Sequence, residues 1–476
     1  MGAILRTTGR VLLRYAPQLL AWFLAGWLGN HLALQLAGFV GGWWNIGGLL
    51  LLPLAVLARL IGFVAMFLVA RDALHELGFI ASAPQDARER RVAFFESLLA
   101  GILPFYAVYA AYGFLRDDFF EYLRVALQVH TGRIWNGEDV TGEDLSSAGF
   151  GIWTWVIIVV AYALRWAWKR WSGRAPRVFA LGAVYLEAVW LFFFVWTLAD
   201  ITRVAGDWVA HRSAMVWFGE VREAVTERIA VLGWIWDGVL WLLGQLGGVL
   251  LQPLAWLAVA GVIYGQAIAA ERLTLSPRYT GNRYVTAAAR RVRVLPEWVR
   301  TRLGDIWDDL LDRFRPVGRS LLLMWRAGPV VIGSYVLLYT IVLAIQGFAP
   351  GWIVSLIGPQ DLVGFWQRFQ TPIFLLVPMI IEPVRIAIVA AGYDATLGSL
   401  RRGAAAKTLE RATAEGATPQ EAAAAAVLQA SRVVEDVVPE AVDVATAAAV
   451  AGTDQGSTEN RGNGTSANGS SGTSTQ

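Results

Sequence analysis

Eight stretches of this chain run for about twenty residues with almost no charged side chain: 18–41, 46–70, 92–114, 152–168, 178–199, 247–270, 327–349 and 373–392. At 1.5 Å per residue, ~20 apolar residues cover the ~30 Å of hydrocarbon in a bilayer. Inside hydrocarbon every backbone N–H and C=O needs a partner within its own segment, so runs of this length must be helices. The expected fold is therefore all-α, a polytopic transmembrane helix bundle of about eight spans. Amphipathic interfacial helices and a disordered C-terminal tail complete the expectation. Only 16% of the residues are charged, well under the ~25% of a soluble protein. The first run is too long for a cleavable h-region, and no small-x-small site precedes "GGWWN" at 41–45. It reads as a retained signal-anchor.

Loop charge orients the bundle. With the N-terminus inside, 27 Lys and Arg fall in 1–17, 71–91, 169–177, 271–326 and 401–411. Eight fall in the outer segments 41–47, 115–151, 200–246 and 350–372. Under the positive-inside rule this places both termini in the cytoplasm. Of the 40 basic residues only Lys169 and Lys407 are lysine, a bias that suits a GC-rich bacterial genome and hence a bacterial inner membrane. The segment "IAVLGWIWDGVLWLLGQL" (229–246) is apolar enough to span, apart from Asp237. A ninth span there would carry the arginines of 271–326 outside. It reads instead as an outer interfacial or re-entrant segment, its tryptophans at headgroup level.

The polar segments have characters of their own. Outer segment 115–151 reads as a solvated acidic loop, since Glu138, Asp139, Glu143 and Asp144 lack the spacing of a calcium loop. In 271–326, Val299, Leu303, Trp307, Leu310 and Phe314 make one apolar helical stripe. That stripe needs the bundle, the bilayer surface or a cytoplasmic protein partner to cover it. Residues 1–17 read as an interfacial helix, with Arg6, Arg10 and Arg14 opposite Ile4, Val11 and Leu12. Thr418, Pro419 and Glu421 open an Ala-rich helix within the cytoplasmic segment 401–451. From 452 to 476 the Gly, Ser, Thr and Asn composition predicts disorder, and this tail is a second candidate for partner contact. "PLAVLA" at 53–58 and "PLAWLA" at 253–258 form a faint internal echo, of the kind a duplicated hairpin leaves.

Four charges lie near the centre of their spans: Arg59, Glu187, Glu382 and Arg385. Each costs roughly 2.5–3.5 kcal/mol against lipid, so they must face protein or water. Glu382 and Arg385 are three apart on one helix and can meet. Pro383 removes a backbone donor between them. Arg59 and Glu187 are expected to pair across spans two and five or to exchange partners with the first pair. His31, beside Asn30 in span one, is a candidate titratable group. Gly261 and Gly265 form a GxxxG face for helix packing, and the chain is compatible with a homo-oligomer.

Much chemistry is excluded. With no cysteine there are no disulfides, thiolate zinc sites, iron–sulfur clusters or thiol catalysis. No phosphate-binding loop, HExxH pairing or GxSxG elbow occurs. No metal or cofactor is implied, nucleic acid is not a partner, and the chain is not expected to be an enzyme. The leading functional expectation is a permease- or channel-like transport component with a polar midplane site. Its alternative is a membrane scaffold or envelope-assembly subunit whose buried ion pairs are structural. A lipid-modifying enzyme ranks third.

Overall fold

The computed structural model describes residues 1–80, 86–138, 152–171, 179–213, 230–272 and 327–415, with single positions at 215–217, 219, 226 and 425. The apolar stripe of 299–314, the Ala-rich helix after 418 and the tail from 452 lie outside the described residues. Among those described, every regular element is helical. The elements are α1 (Gly2–Gly41), α2 (Asn45–Arg71), α3 (His75–Ile80), α4 (Ala87–Ala111), α5 (Phe114–Trp135) and α6 (Ile152–Trp171). They continue with α7 (Phe179–Ala210), α8 (Ala230–Leu246), α9 (Gln252–Arg272), α10 (Pro329–Ile357) and α11 (Gln367–Ala414).

Seven stretches among these residues are long and apolar enough to cross a membrane: Gly2–Gly41, Asn45–Arg71, Ala87–Ala111, Val184–Ala210, Gly248–Gly265, Pro329–Ile357 and Leu362–Ala414. The run expected to be the fourth span is the shorter apolar stretch Thr154–Ala167 of α6. The outer faces are apolar too. On α1, Leu28, Leu32, Leu36 and Phe39 are exposed while Phe23, Asn30, Leu34 and Ala37 are buried. An apolar stripe turned away from the core suits lipid, where it would be costly in water.

The α1–α2 hairpin is the frame of the bundle. A Cβ added at Gly26 would stand 3.0 Å from the Gly62 Cα, and one at Gly48 only 2.5 Å from the Gly41 Cα. With no side chain between them, the two backbones touch at two heights, which is how helices associate without a hydrophobic drive. The opposite side of α1 accepts α5 the same way, with Val125 against Gly38 and Val129 against Gly42. On the GxxxG face of α9 the two glycines differ. Gly261 is buried, but a Cβ on Gly265 would meet nothing within 4 Å.

These elements bear on three expectations from sequence. The N-terminal helix is not separate: α1 runs unbroken from Gly2 through Pro17 to Gly41. Its predicted stripe is nonetheless buried at Ile4 and Val11, with Arg6, Arg10 and Arg14 exposed. Residues 114–135 are not a loop but α5, packed on α1. Segment 230–246 is a helix joined through a π-helical turn, Gly247–Leu251, directly to α9.

α11 closes the bundle. It runs unbroken through Pro372, Pro378 and Pro383. At its far half Asp394 accepts hydrogen bonds from the Glu76 and Leu77 N–H groups, at 2.8 and 3.1 Å, capping α3. Arg401 bonds Glu76 at 2.9 Å. These contacts put the end of α11 on the same side as the start of α1.

Candidate functional site

Arg59 sits halfway along α2, where α1, α4 and α5 converge. Its Nη2 donates to the Asn30 Oδ1 at 2.9 Å, and its Nη1 donates to the Tyr109 hydroxyl. The Tyr109 hydroxyl in turn donates to the Asp118 carboxylate at 2.6 Å. Asn30 closes the ring, its Nδ2 donating to Asp118 at 3.3 Å and to the Ala55 carbonyl at 3.0 Å. The Asp118 carboxylate lies 3.6 Å from Arg59.

Asp118 reaches this depth for a local reason. Gly113 adopts φ +83°, a left-handed conformation that ends α4 and starts α5 in a new direction. The chain then passes back beside Asn30 before α5 follows α1. A polar sequence, "FLRDDFFEYLR", thus contributes a buried acid.

The second group lies on α11. Arg385 donates to the Glu382 Oε1 at 2.8 Å, one helical turn away. It also bonds the amide oxygen of Gln346 on α10, and its guanidinium lies 5.8 Å from the Tyr339 ring centre. Arg385 is 2% exposed and Glu382 8%. The Glu382 Oε2 and the Arg385 Nε have no hydrogen-bond partner, nor does the indole Nε1 of Trp256. Leaving such a group unmatched costs about 1–3 kcal/mol each.

These groups meet at one cavity of about 190 Å³. Arg59, Tyr109, Gln346, Glu382 and Arg385 supply its polar wall. Phe23, Trp27, Phe63, Met66, Phe114, Trp256 and Pro378 supply its apolar wall, with the backbones of Gly26 and Gly62 between. Of the Arg59 side chain 27% is exposed, against 6% of Asp118, and the exposed part opens into this cavity. A shallower depression adjoins it along the α1–α11 seam, formed by Gln370, Thr371, Phe374 and Leu375 and sharing Trp27 and Pro378.

Of the four mid-span charges read from sequence, Arg59, Glu382 and Arg385 are brought together. Glu187 is not. It is 3% exposed and pairs with Arg165, joining α7 to α6 away from the cavity. The acid that balances Arg59 is Asp118. His31 does not line the cavity either; it stacks on Trp27, with ring centres 5.3 Å apart and planes 2° from parallel. Sequence reasoning missed Asp118, Tyr109 and Gln346. Only Gln346 carried a signal, as a lone amide in an apolar span. Among the described residues no group of three or more His, Asp or Glu converges as a metal site.

No protein family, curated protein or solved structure matches this chain.

Proposed function

We propose that this chain is a transport component of the permease or channel class. In this reading it lies in a bacterial inner membrane with both termini in the cytoplasm. The single observation that carries the reading is the mid-bundle cavity whose wall holds Arg59, Glu382 and Arg385, with donors and an acceptor left unmatched. Ionisable groups inside a bundle face one another or a pathway for ions and solutes, and carriers hold their sites near mid-depth. The adjoining depression between α1 and α11 suggests the route by which a solute reaches the cavity. The 27-to-8 division of basic residues supports the orientation.

Because the chain has no cysteine, single cysteines report cleanly. Phe23→Cys and Met66→Cys, both on the cavity wall, are expected to react with a membrane-impermeant thiosulfonate reagent from one face. Val64→Cys, fully buried and outside the wall, is the unreactive control. Protection of all three from both faces removes the pathway.

The Arg165–Glu187 pair favours a second reading, a scaffold in which buried charges only fix helix register. Glu382→Gln separates the two. Under transport it cuts flux on the order of a hundredfold and shifts the melting temperature by only a few degrees. Under the scaffold reading it lowers the melting temperature with no flux to lose, and changing Glu382 and Arg385 together restores stability.

A further inference from the structure

We infer that the cavity binds a small zwitterion, a molecule with an ammonium, a carboxylate and a short apolar body, an inference that rests on the cavity being a solute site. Charge balance is the first argument. Arg59 is offset by Asp118, which stands behind the wall, and Arg385 by Glu382, so the wall together with its backing acid sums to zero. A guest with net charge would add an ion without a counter-ion to a site inside the bundle. A guest carrying both signs adds none.

The unmatched atoms are the second argument, because they come in both kinds. The Glu382 Oε2 is an acceptor without a donor, on a residue only 8% exposed. The Arg385 Nε and Trp256 Nε1 are donors without acceptors, on side chains each 2% exposed. An ammonium answers the first and a carboxylate the second. Trp27, Phe63 and Phe114 line the same cavity, and aromatic rings attract an ammonium. Size is the third argument. The cavity measures about 190 Å³, and one of ~150 Å³ accepts benzene, so a body of leucine size fits.

The test is calorimetric titration of the full-length protein in lipid nanodiscs. The probes are leucine and phenylalanine as zwitterions, isopentylamine as the ammonium alone, and 4-methylpentanoate as the carboxylate alone. At least one zwitterion is expected to bind about tenfold or more tighter than either single-charge probe. Glu382→Gln should weaken the zwitterion and the amine alike and spare the carboxylate probe. Trp256→Phe, which keeps an aromatic ring and removes the donor, should weaken the carboxylate-bearing probes and spare the amine. It also serves if Glu382→Gln fails to fold. Equal affinity across the four probes, tighter binding of either single-charge probe, or no binding at all overturns the inference. Reactive cysteines at the cavity wall with no zwitterion bound would sink the chemical assignment alone. Protected cysteines with no binding would sink the transport reading with it.

Discussion

The α1–α2 hairpin and the α6–α7 hairpin solve the same problem in opposite ways. In the first, glycines at 26, 41, 48 and 62 let two backbones touch, so attraction comes from packing along the seam. Arg59 is then free to lean across to α1, α4 and α5 and to present part of its guanidinium to a cavity. In the second, α6 has no glycine, and a Cβ on Gly182 of α7 would meet nothing within 4 Å. There a buried ion pair, Arg165 with Glu187, ties the helices, and its charges are used up in doing so. A buried charge therefore does not mark a site. What sets Arg59, Glu382 and Arg385 apart is that they line a cavity.

The largest test of that contrast is Arg165→Met. It strands Glu187, 3% exposed, without its partner, and is expected to cost about 3–5 kcal/mol in unfolding measurements. The double change Arg165→Met, Glu187→Leu should recover most of the loss, and binding at the cavity should persist in the double variant. If the single change is harmless, the pair is not what ties α6 to α7. A middling effect is expected at Gly48→Ala, whose new methyl would press on the Gly41 backbone from 2.5 Å. Overpacking of that kind costs about 1–3 kcal/mol. Gly265→Ala, in open space, should change stability by less than about 0.5 kcal/mol. Equal effects at the two glycines would end the claim that backbone contact joins α1 to α2.

How much of this was legible beforehand follows from what each inference used. The helices were readable because length and apolarity alone decide them. Arg59, Glu382 and Arg385 were readable because depth is counted along a single span. The Glu382–Arg385 pair followed from helical spacing. Partners on other helices were not readable, because depth says nothing of which helices are neighbours. Glu187 was therefore grouped with Arg59 when its true neighbour is Arg165. Asp118 was hidden more deeply. Its surroundings have the composition of a surface loop, and one left-handed glycine upstream returns the chain to the interior. The close glycine contacts of α1 and α2 were masked likewise, because glycines on different helices share no spacing.

Glu382 and Arg385 ride on the same helix, one turn apart, whereas Arg59 and Asp118 belong to different helices. The Glu382–Arg385 pair therefore adds no net charge to α11 and needs no ion from another helix. The far half of the same helix is moored to α3 through Asp394 and Arg401.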